Sequence, residues 1–563
     1  MTIDRRIIQT PSAGQRLVRF RGDELTFRLE ISSPVLGRAF VRTNLGHART
    51  IRQEIIDQVE RNVPRMGRDW FDIAMKPVGP GRFEAAIGLD EVGHFEAKCL
   101  FLPEESNEPL WPDGPNTAIN VEPADTCCAN IIYNAFVRQF GPNKNGSRAA
   151  DPPDPDAVKA LDRSGYAVIP PSGTFRDLIG ELDFIMDELG CRILQLLPIH
   201  PTPTTYGRMG RFGSPYAALS FTEVDPALAV FDPKATPLEQ FLELVDAIHA
   251  RQGKVIIDIA INHTGWAARL HESHPQWLAR NEKGEIQNPG AWGVVWADLT
   301  HLDYRHKELW RYMADVLLTW CRRGVDGFRC DAGYMIPTEA WRYMIAKVRD
   351  QFPDTLFMLE GLGGKISVTR DLLNRANFNW SYSELFQNYD RGQVSHYLPE
   401  ANEISASDGI TVHFAETHDN NRLAATSTTY ARMRTALCAL LSPNGAFAFA
   451  NGVEWFATQK INVHDACSLN WGAQPNQVDD IARISRLLKR HPAFGPGIAL
   501  ELIHRGAGNF IALLRRPEST DDCRPLLILA NLDCQNPVTA GWAPGRTAFP
   551  PGKAVDLLTG QPV

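Results

Sequence analysis

A short apolar segment that ends at Asp331 carries the residue pair best suited to chemistry. Val325 to Cys330 has the composition of a buried strand. Side chains alternate along a strand, so Arg329 and Asp331 are expected to point to the same side. An adjacent arginine keeps a carboxylate ionised at neutral pH. Such a carboxylate at the C-terminal end of a strand suits a nucleophile; a structural Arg–Asp ion pair is the alternative.

Polar and acidic side chains also follow three other apolar segments of the same region. These residues are Asp258, Asn262 and His263, then Glu360, and finally His418 with Asp419. Burying a carboxylate is costly unless it is paired, so packing alone seldom places so many acids at the ends of strands. The pattern therefore predicts an active site.

Two of these carboxylates suit the cleavage of a glycosidic bond with retention of configuration. That reaction uses an ionised nucleophile and a protonated acid, about 5–5.5 Å apart. Asp331, beside Arg329, suits the first role. Glu360 has no adjacent cation in the sequence. Neighbouring acids raise the pKa of a carboxyl group, so we expect Glu360 to hold its proton.

The other residues are expected to support this reaction. Asp419 would stabilise a positively charged transition state, and His263 and His418 would donate hydrogen bonds to sugar hydroxyls. Asp258, as the partner of the arginine, and Asn262 would support the site structurally. A metal site is the alternative, but no His-x-x-x-His or two-cysteine spacing supports a transition metal, so no metal ligand is assigned. Calcium, which takes oxygen ligands without a fixed spacing, is left open.

The elements that would position these residues alternate between short apolar segments and segments of helical period from about residue 129 to 454. This alternation is typical of βα units. Eight strands are predicted, at Ile131–Val137, Arg192–Leu197, Lys254–Ile261, Val325–Cys330, Leu356–Glu360, Phe378–Tyr382, Thr411–Glu416 and Ala446–Ala450. The clearest helices are Phe175–Leu189, Leu238–Arg251, Leu309–Arg322, Glu339–Asp350 and Tyr430–Leu441. They predict a closed (β/α)₈ TIM barrel, whose active site lies at the C-terminal ends of the strands.

Segments rich in predicted strands flank the barrel on both sides. Residues 14–104 alternate apolar and polar positions between Gly and Pro clusters, which predicts a small β-sandwich, followed by a linker at Pro103–Thr117. Phe510–Leu514 and Leu526–Ala530 predict an antiparallel β domain at the other end. The expected domains are an N-terminal β-sandwich (1–125), a catalytic barrel (126–480) with long loops after its second and third strands, and a C-terminal β domain (481–563).

Charge, hydropathy and cysteine content exclude some classes of partner and predict a cellular compartment. The net charge is −8 and the pI about 6.0, which argues against nucleic acid or an anionic membrane as partner. No apolar run is long enough to span a membrane, and Met1–Arg6 is too polar to begin a secretory signal. The ten cysteines are scattered, which indicates free thiols and a cytoplasmic location. Nothing in the sequence indicates an oligomeric state.

Taken in order, these segments resemble the signature regions of the α-amylase superfamily, glycoside hydrolase family 13. The similar segments are Asp258–His263, Gly327–Ala332, Glu360 and His418–Asp419, with Gly213–Tyr216 similar to the segment whose tyrosine stacks under the reacting sugar. The resemblance implies that Asp331 is the nucleophile, Glu360 the acid/base and Asp419 the transition-state stabiliser. It also implies that Tyr216 binds substrate.

The resemblance further implies a retaining hydrolase or transglycosylase that acts on α-glucans, such as maltooligosaccharides, starch or glycogen, through a covalent glycosyl-enzyme intermediate. No cofactor is expected, although calcium is possible. The sequence departs from the family just after the nucleophile. Many members carry a lysine and a histidine there, whereas this chain has Gly333–Pro337. Tyr334 is therefore expected to bind substrate on an aromatic acceptor side, which would favour transfer over hydrolysis.

Two alternatives accompany this prediction. One is a maltosyltransferase that uses phosphate or a sugar acceptor, since the N-terminal β domain and Ile132–Gly141 are also similar to the maltosyltransferase-like and debranching-like branches. A phosphate pocket needs arginines, lysines or backbone amides, and Arg208 and Arg211 on the second loop are candidates. The other is a non-catalytic carbohydrate-binding barrel, which would lack the carboxylates that this chain retains.

Overall fold

Eight parallel strands close into a barrel at the centre of the molecule. The structure is a computed structural model that describes residues 6–32, 36–106, 108–145, 155–166, 168–517, 525–542 and 554–562. The strands, in barrel order, are Ile131–Ala135, Ile193–Leu196, Lys254–Ile259, Gly327–Cys330, Leu356–Leu359, Trp380–Ser383, Ile410–Phe414 and Phe447–Ala450. All eight predicted strands are present. The predicted fold class, an α/β TIM barrel with β domains on both sides, is confirmed.

Helices surround the barrel. They are Pro155–Arg163, Phe175–Ile179, Pro237–His249, Arg269–Ser273, Lys307–Arg322, Thr338–Gln351, Ile366–Asp371, Arg391–Ser407, Thr428–Leu440 and Val478–Arg490, with π-helices at Asp183–Glu188 and Leu372–Ala376. The predicted helix Phe175–Leu189 is interrupted by a turn at Gly180, consistent with the weak helix propensity of glycine. The first strand ends at Ala135, two residues early, because a 3₁₀ turn begins at Val137.

The strand register determines which side chains meet at the active end of the barrel. Asp258 on the third strand pairs directly with Arg329 on the fourth. Cys330 pairs with Leu359 on the fifth strand, so the next residues, Asp331 and Glu360, stand at the same level. Apart from Lys254, the residues of the barrel strands are buried, as expected for a parallel sheet covered on both faces.

The N-terminal region forms two sheets that share one hydrophobic cluster. The first contains Ile7–Thr10, Glu24–Ile31, Arg82–Gly88 and Lys76–Gly79; the second contains Arg16–Phe20, Thr117–Glu122, Gly93–Pro103, Gly37–Thr43 and Phe71–Ala74. The predicted linker Pro103–Thr117 is wrong as a domain connection, because it joins two neighbouring strands of the second sheet. The helix Ala48–Glu60, absent from the sequence prediction, connects two strands.

The N-terminal helix also attaches this region to the barrel. Glu60 accepts hydrogen bonds from Tyr343 (2.8 Å) and Lys347 (2.7 Å) of the helix Thr338–Gln351. Arg311 donates to the carbonyl oxygens of Val59 and Glu60. The two helices therefore pack side by side across the junction.

The remaining strands lie in the long third loop and in the C-terminal region. In the loop, His263–Gly265 pairs with Leu299–His301, and Gly290–Ala291 pairs with Val294–Val295. The C-terminal strands are all antiparallel, as predicted: Ile498–Leu502, Phe510–Pro517 and Leu526–Asn531 form one sheet, and His504–Arg505 and Gly541–Trp542 another. Within the described ranges, no helix has the length and apolar character needed to cross a membrane.

Candidate active site

Arg329 lies at the centre of the predicted site and contacts three carboxyl groups. Its Nη1 is 2.9 Å from Asp258 Oδ2 and 2.6 Å from Asp331 Oδ1, and its Nη2 is 2.9 Å from Glu360 Oε1. The guanidinium is buried, and its Cζ lies 5.4 Å from the ring centroid of Tyr382. The three acids come from three consecutive barrel strands, so the arginine connects their C-terminal ends.

The contact between Arg329 and Glu360 corrects one step of the sequence argument. Glu360 has no neighbouring cation along the chain, but it has one in space, supplied by the adjacent strand. Arg329 therefore contacts the predicted nucleophile and the predicted acid alike. A neighbouring cation therefore does not by itself determine which of Asp331 and Glu360 is ionised and which is protonated.

Burial determines how protons are shared in this cluster, because one guanidinium cannot neutralise three buried carboxylates. Burial raises the pKa of Glu360 to about 7, with Arg329 lowering it and Asp331 and Asp419 raising it further. Burial also raises the pKa of Asp258, to about 8, against the effect of Arg329. The pKa of Asp331 is raised by burial too, but Arg329 and a hydrogen bond with Glu360 oppose the increase. Asp258 and Glu360 can therefore both hold protons near neutral pH, while Asp331 keeps the charge that pairs with Arg329.

A strained turn directly after Asp331 holds the Glu360 side chain. Ala332 adopts a left-handed conformation (φ 41°, ψ 39°), which is unfavourable for a residue with a Cβ. Its backbone N–H donates to Glu360 Oε2 at 2.8 Å. The turn thus fixes one carboxyl oxygen while Arg329 contacts the other. The alanine at position 332 gives no sequence signal for this conformation.

Tyr216 and His418 form a stacked pair beside the carboxylates. Their ring centroids are 5.7 Å apart and their planes differ by 16°. Tyr216 Oη donates to Asp258 Oδ2 (2.9 Å) and accepts from His418 Nε2 (2.6 Å). Asn134 Nδ2 lies 3.4 Å from His418 Nδ1, which accepts from it. These contacts assign the proton of His418 to Nε2, and burial lowers the pKa of this imidazole, which favours its neutral form.

The other predicted residues occupy different parts of the same end of the barrel. His263 Nε2 donates to the Tyr216 carbonyl oxygen at 3.2 Å, and burial lowers the pKa of His263 to about 4. Asn262 is fully buried, with Nδ2 3.3 Å from Met335 Sδ. The Asp419 side chain is 61% exposed and lies 3.2 Å from His418 Nε2, at the mouth of the site. Asp419 is the most exposed of the three predicted catalytic acids.

The aromatic side of the site contains one residue that the sequence analysis did not single out. The indole of Trp292, from the hairpin of the third loop, covers Gly363, three residues after Glu360: a Cβ at position 363 would lie 2.2 Å from Trp292 Nε1. Trp292 is 70% exposed and has a positive φ of 52°. Tyr334, half-buried, adjoins the neighbouring Gly364. Burial and the nearby acids raise the pKa of Tyr334 to about 12, so it stays a neutral phenol.

The arginines predicted as phosphate ligands are engaged elsewhere. Arg208 Nη2 lies 3.5 Å from Asp162 Oδ1, and Arg211 Nη1 lies 2.5 Å from Asp162 Oδ2. Their charges are thus partly balanced by an acid of the helix Pro155–Arg163. Within the described ranges, no group of three or more His, Cys, Asp or Glu side chains is arranged to hold a metal ion.

Comparison with known proteins identifies the family. Residues 136–358 match the model of the α-amylase catalytic domain. This part of the barrel is similar to an α-amylase catalytic domain. The predicted superfamily is therefore confirmed, as is the prediction of an α-amylase-family enzyme.

Individual relatives of this amylase domain fall into two groups. An α-1,4-glucan:maltose-1-phosphate maltosyltransferase from Cereibacter sphaeroides is 27% identical over 389 residues, which are 64% of this chain and 63% of that protein. The chain thus spans less than two thirds of the length of that relative. Among solved structures, an α-amylase from Lactobacillus plantarum aligns with a TM-score of 0.60, 24% identity and 77% of this chain against 94% of its own. A cyclomaltodextrinase aligns over 92% of this chain and 89% of its own, with a TM-score of 0.58 and 16% identity. These two structural likenesses concern the fold.

Proposed function

We propose that this protein cleaves α-1,4-linked glucans with retention of configuration and passes the glycosyl unit to water or to an acceptor sugar. The observation that carries the proposal is the contact of one guanidinium, Arg329, with Asp258, Asp331 and Glu360. The contact brings Asp331 and Glu360 together, and burial raises the pKa of Glu360 to about 7, so an ionised and a protonated carboxyl group can stand side by side, as a double displacement needs.

Each step follows from the contacts of the site. Asp331 attacks the anomeric carbon, and Glu360 gives its proton to the departing glycosidic oxygen, forming a glycosyl-enzyme ester. Glu360, now ionised, takes a proton from water or from an acceptor hydroxyl, which attacks the ester and releases Asp331. Asp419 favours the positive charge of the transition state. Tyr216 and the neutral His418 and His263 bind and orient the sugar.

The acceptor side supports transfer as well as hydrolysis. Trp292 and Tyr334 flank the glycines that follow Glu360, where the departing sugar leaves and an acceptor enters. Aromatic faces stack on sugar rings and exclude water, and both effects favour an acceptor hydroxyl over water as the attacking group.

A second candidate is maltosyl transfer from maltose 1-phosphate to an α-glucan, which the name of the Cereibacter relative favours. In this reaction phosphate is the leaving group, and the covalent intermediate on Asp331 is the same. The two reactions therefore differ in the leaving group of the donor, whereas Asp331 is the nucleophile in both.

We also propose a cytoplasmic location. The nine cysteines in the described ranges are all free thiols, six of them buried, as is usual in a reducing compartment.

One incubation series tests these proposals. Maltooligosaccharides are supplied alone and, in a second incubation, together with maltose 1-phosphate. Product lengths are followed by chromatography, anomers by ¹H NMR and released phosphate by colorimetry. New α-anomers from maltooligosaccharides support the first proposal, and phosphate release with glucan elongation supports the second. New β-anomers would exclude the retaining mechanism for either donor.

A further inference from the structure

A small cleft between the N-terminal region and the barrel is surrounded by positive charge. It measures about 70 Å³ and lies between the helices Ala48–Glu60 and Thr338–Gln351. Its floor is apolar, formed by Ile51, Ile55 and Ile345. Its polar lining consists of Arg52, His94, Arg342, Arg349, Arg375 and Asn377. The cleft is on the outside of the barrel, away from the strand ends that carry the active site.

The positive charges of this cleft are only partly balanced. Within the described ranges, no carboxylate forms an ion pair with Arg52, whose Nε is buried and has no hydrogen-bond partner. Asp350 and Glu91 act on Arg52 only through longer-range attraction. Leaving a buried guanidinium N–H without an acceptor is costly.

Arg349 is fully buried, yet its contacts are neutral oxygens. It donates to the Thr355 carbonyl, to both oxygens of Asn377 and to Asn379 Oδ1 at 2.5 Å. Asn379 in turn donates to Glu122, so an amide separates this arginine from that acid.

The other basic residues of the cleft form few contacts with carboxylates. Arg342 Nη1 lies 3.6 Å from Glu339, which also pairs with Arg375. Arg375 pairs in addition with Asp371 at 3.2 Å. The His94 ring uses Nδ1 to contact Asn120 Oδ1 at 2.6 Å. An anion in the cleft would therefore meet the guanidinium groups of Arg52, Arg342 and Arg375, with few carboxylates to repel it.

We propose that this cleft binds a tetrahedral oxyanion, either inorganic phosphate or the phosphate group of a phosphorylated sugar. Guanidinium groups match the geometry of phosphate oxygens and form charge-assisted hydrogen bonds with them. A volume of about 70 Å³ is several times what one water molecule needs, so it accommodates a phosphate group. Because the lining comes from both regions, the bound anion stabilises their junction.

The test measures binding directly and does not need activity. The full chain with Asp331→Asn, saturated with maltooligosaccharide to occupy the active site, is titrated with sodium phosphate and with sodium chloride at equal ionic strength. Isothermal titration calorimetry and the melting temperature are the readouts. Phosphate is expected to bind at one site per chain and to raise the melting temperature saturably, whereas chloride does neither.

Variants assign the site. Arg52→Gln combined with Arg342→Gln is expected to weaken phosphate binding at least tenfold, which is about 1.4 kcal/mol. Arg28→Gln, on an exposed arginine paired with Glu84, is the matched control and should bind like the parent. If the double variant does not fold, Arg52→Gln alone is used, with an expected loss of several-fold.

Two outcomes would overturn the proposal: phosphate has no saturable effect beyond that of chloride, or the cleft variants bind it as the control does. A titration with glucose 1-phosphate distinguishes a phosphorylated sugar from inorganic phosphate as the ligand. Tighter binding than phosphate identifies a phosphorylated sugar as the ligand, and equal or weaker binding identifies inorganic phosphate. Since the glycosidase assay is separate, failure here leaves the proposed function intact.

Discussion

Arg329 Nη2 lies 2.9 Å from Glu360 Oε1, so the cation of the predicted nucleophile is also the cation of the predicted acid. The arginine lowers the pKa of Glu360 while burial raises it to about 7. Two opposing effects therefore place this carboxyl group near neutral pH, where a general acid is most effective.

Activity should fall at alkaline pH because Glu360 loses its proton there. With the pKa of Glu360 raised to about 7, kcat/KM on maltooligosaccharides is expected to decline as pH rises through that value. Glu360→Gln should lower activity by about 10²–10⁴-fold on natural glucans. The single-turnover rate of fluoride release from α-maltosyl fluoride should fall much less, because fluoride leaves without protonation. A loss in this rate equal to the loss on natural glucans would exclude Glu360 as the acid.

Replacing Arg329 with lysine should disrupt the cluster although the charge is kept. A single ammonium cannot reproduce the two-nitrogen contact with three carboxylates. We expect kcat to fall about 10²-fold, in line with the loss of a preorganised charge contact. The alkaline limb of the pH profile should move to higher pH, because the arginine lowers the pKa of Glu360. An unchanged pH profile would contradict this electrostatic role.

Glu122, outside the active site, should make the fold less stable as pH rises. Burial raises the pKa of Glu122 from 4.5 to about 7. The folded state therefore holds this proton more tightly than the unfolded state, and stability is lost as pH increases from about 4.5 to 7. The full effect is about 3 to 4 kcal/mol, since each pKa unit corresponds to about 1.36 kcal/mol.

Glu122→Gln should therefore stabilise the protein at pH 8 more than at pH 5, as measured by urea unfolding at both values. Glu84→Gln, on a partly exposed acid of the outer sheet, is the control and should show a smaller difference. If Glu122→Gln changes the free energy of unfolding equally at pH 5 and pH 8, the Glu122 carboxyl group would have the same ionisation in the folded and unfolded states. That result would contradict the prediction.

Gly363→Ala should impair transfer more than Gly284→Ala, an alanine substitution at another glycine with a positive φ. Position 363 has a φ of +73°, and a Cβ there would collide with the Trp292 ring at 2.2 Å. Gly284→Ala has the same backbone cost, with a φ of +81°, but no atom within 4 Å of its Cβ. We expect Gly363→Ala and Trp292→Ala, but not Gly284→Ala, to lower the ratio of transfer to hydrolysis products several-fold. Chromatography of products from maltotriose measures that ratio; an equal ratio in all three would contradict a role for Trp292 on the acceptor side.

The strands and their terminal acids could be predicted because they depend on local patterns. Buried parallel strands appear as continuous apolar segments, and Asp258, Arg329, Asp331 and Glu360 stand where those segments end. Strand alternation correctly places Arg329 beside Asp331, now seen at 2.6 Å.

Contacts between distant segments could not be predicted in the same way. The indole of Trp292 reaches Gly363 from a different loop, and no periodicity connects the two positions. The left-handed turn at Ala332 is set by its surroundings, since an alanine gives no local signal for it. The helix Ala48–Glu60 escaped detection because the surrounding alternation of residue types favours strands.

Trapping the covalent intermediate tests the central claim most directly. Glu360→Gln, treated with α-maltosyl fluoride, should form the glycosyl ester quickly and lose it slowly, because leaving fluoride needs no acid whereas the attacking water needs a base. Peptide mass spectrometry after acid quenching should then find a maltosyl group on Asp331. Turnover of the fluoride without an adduct, or with an adduct on another residue, would contradict the account.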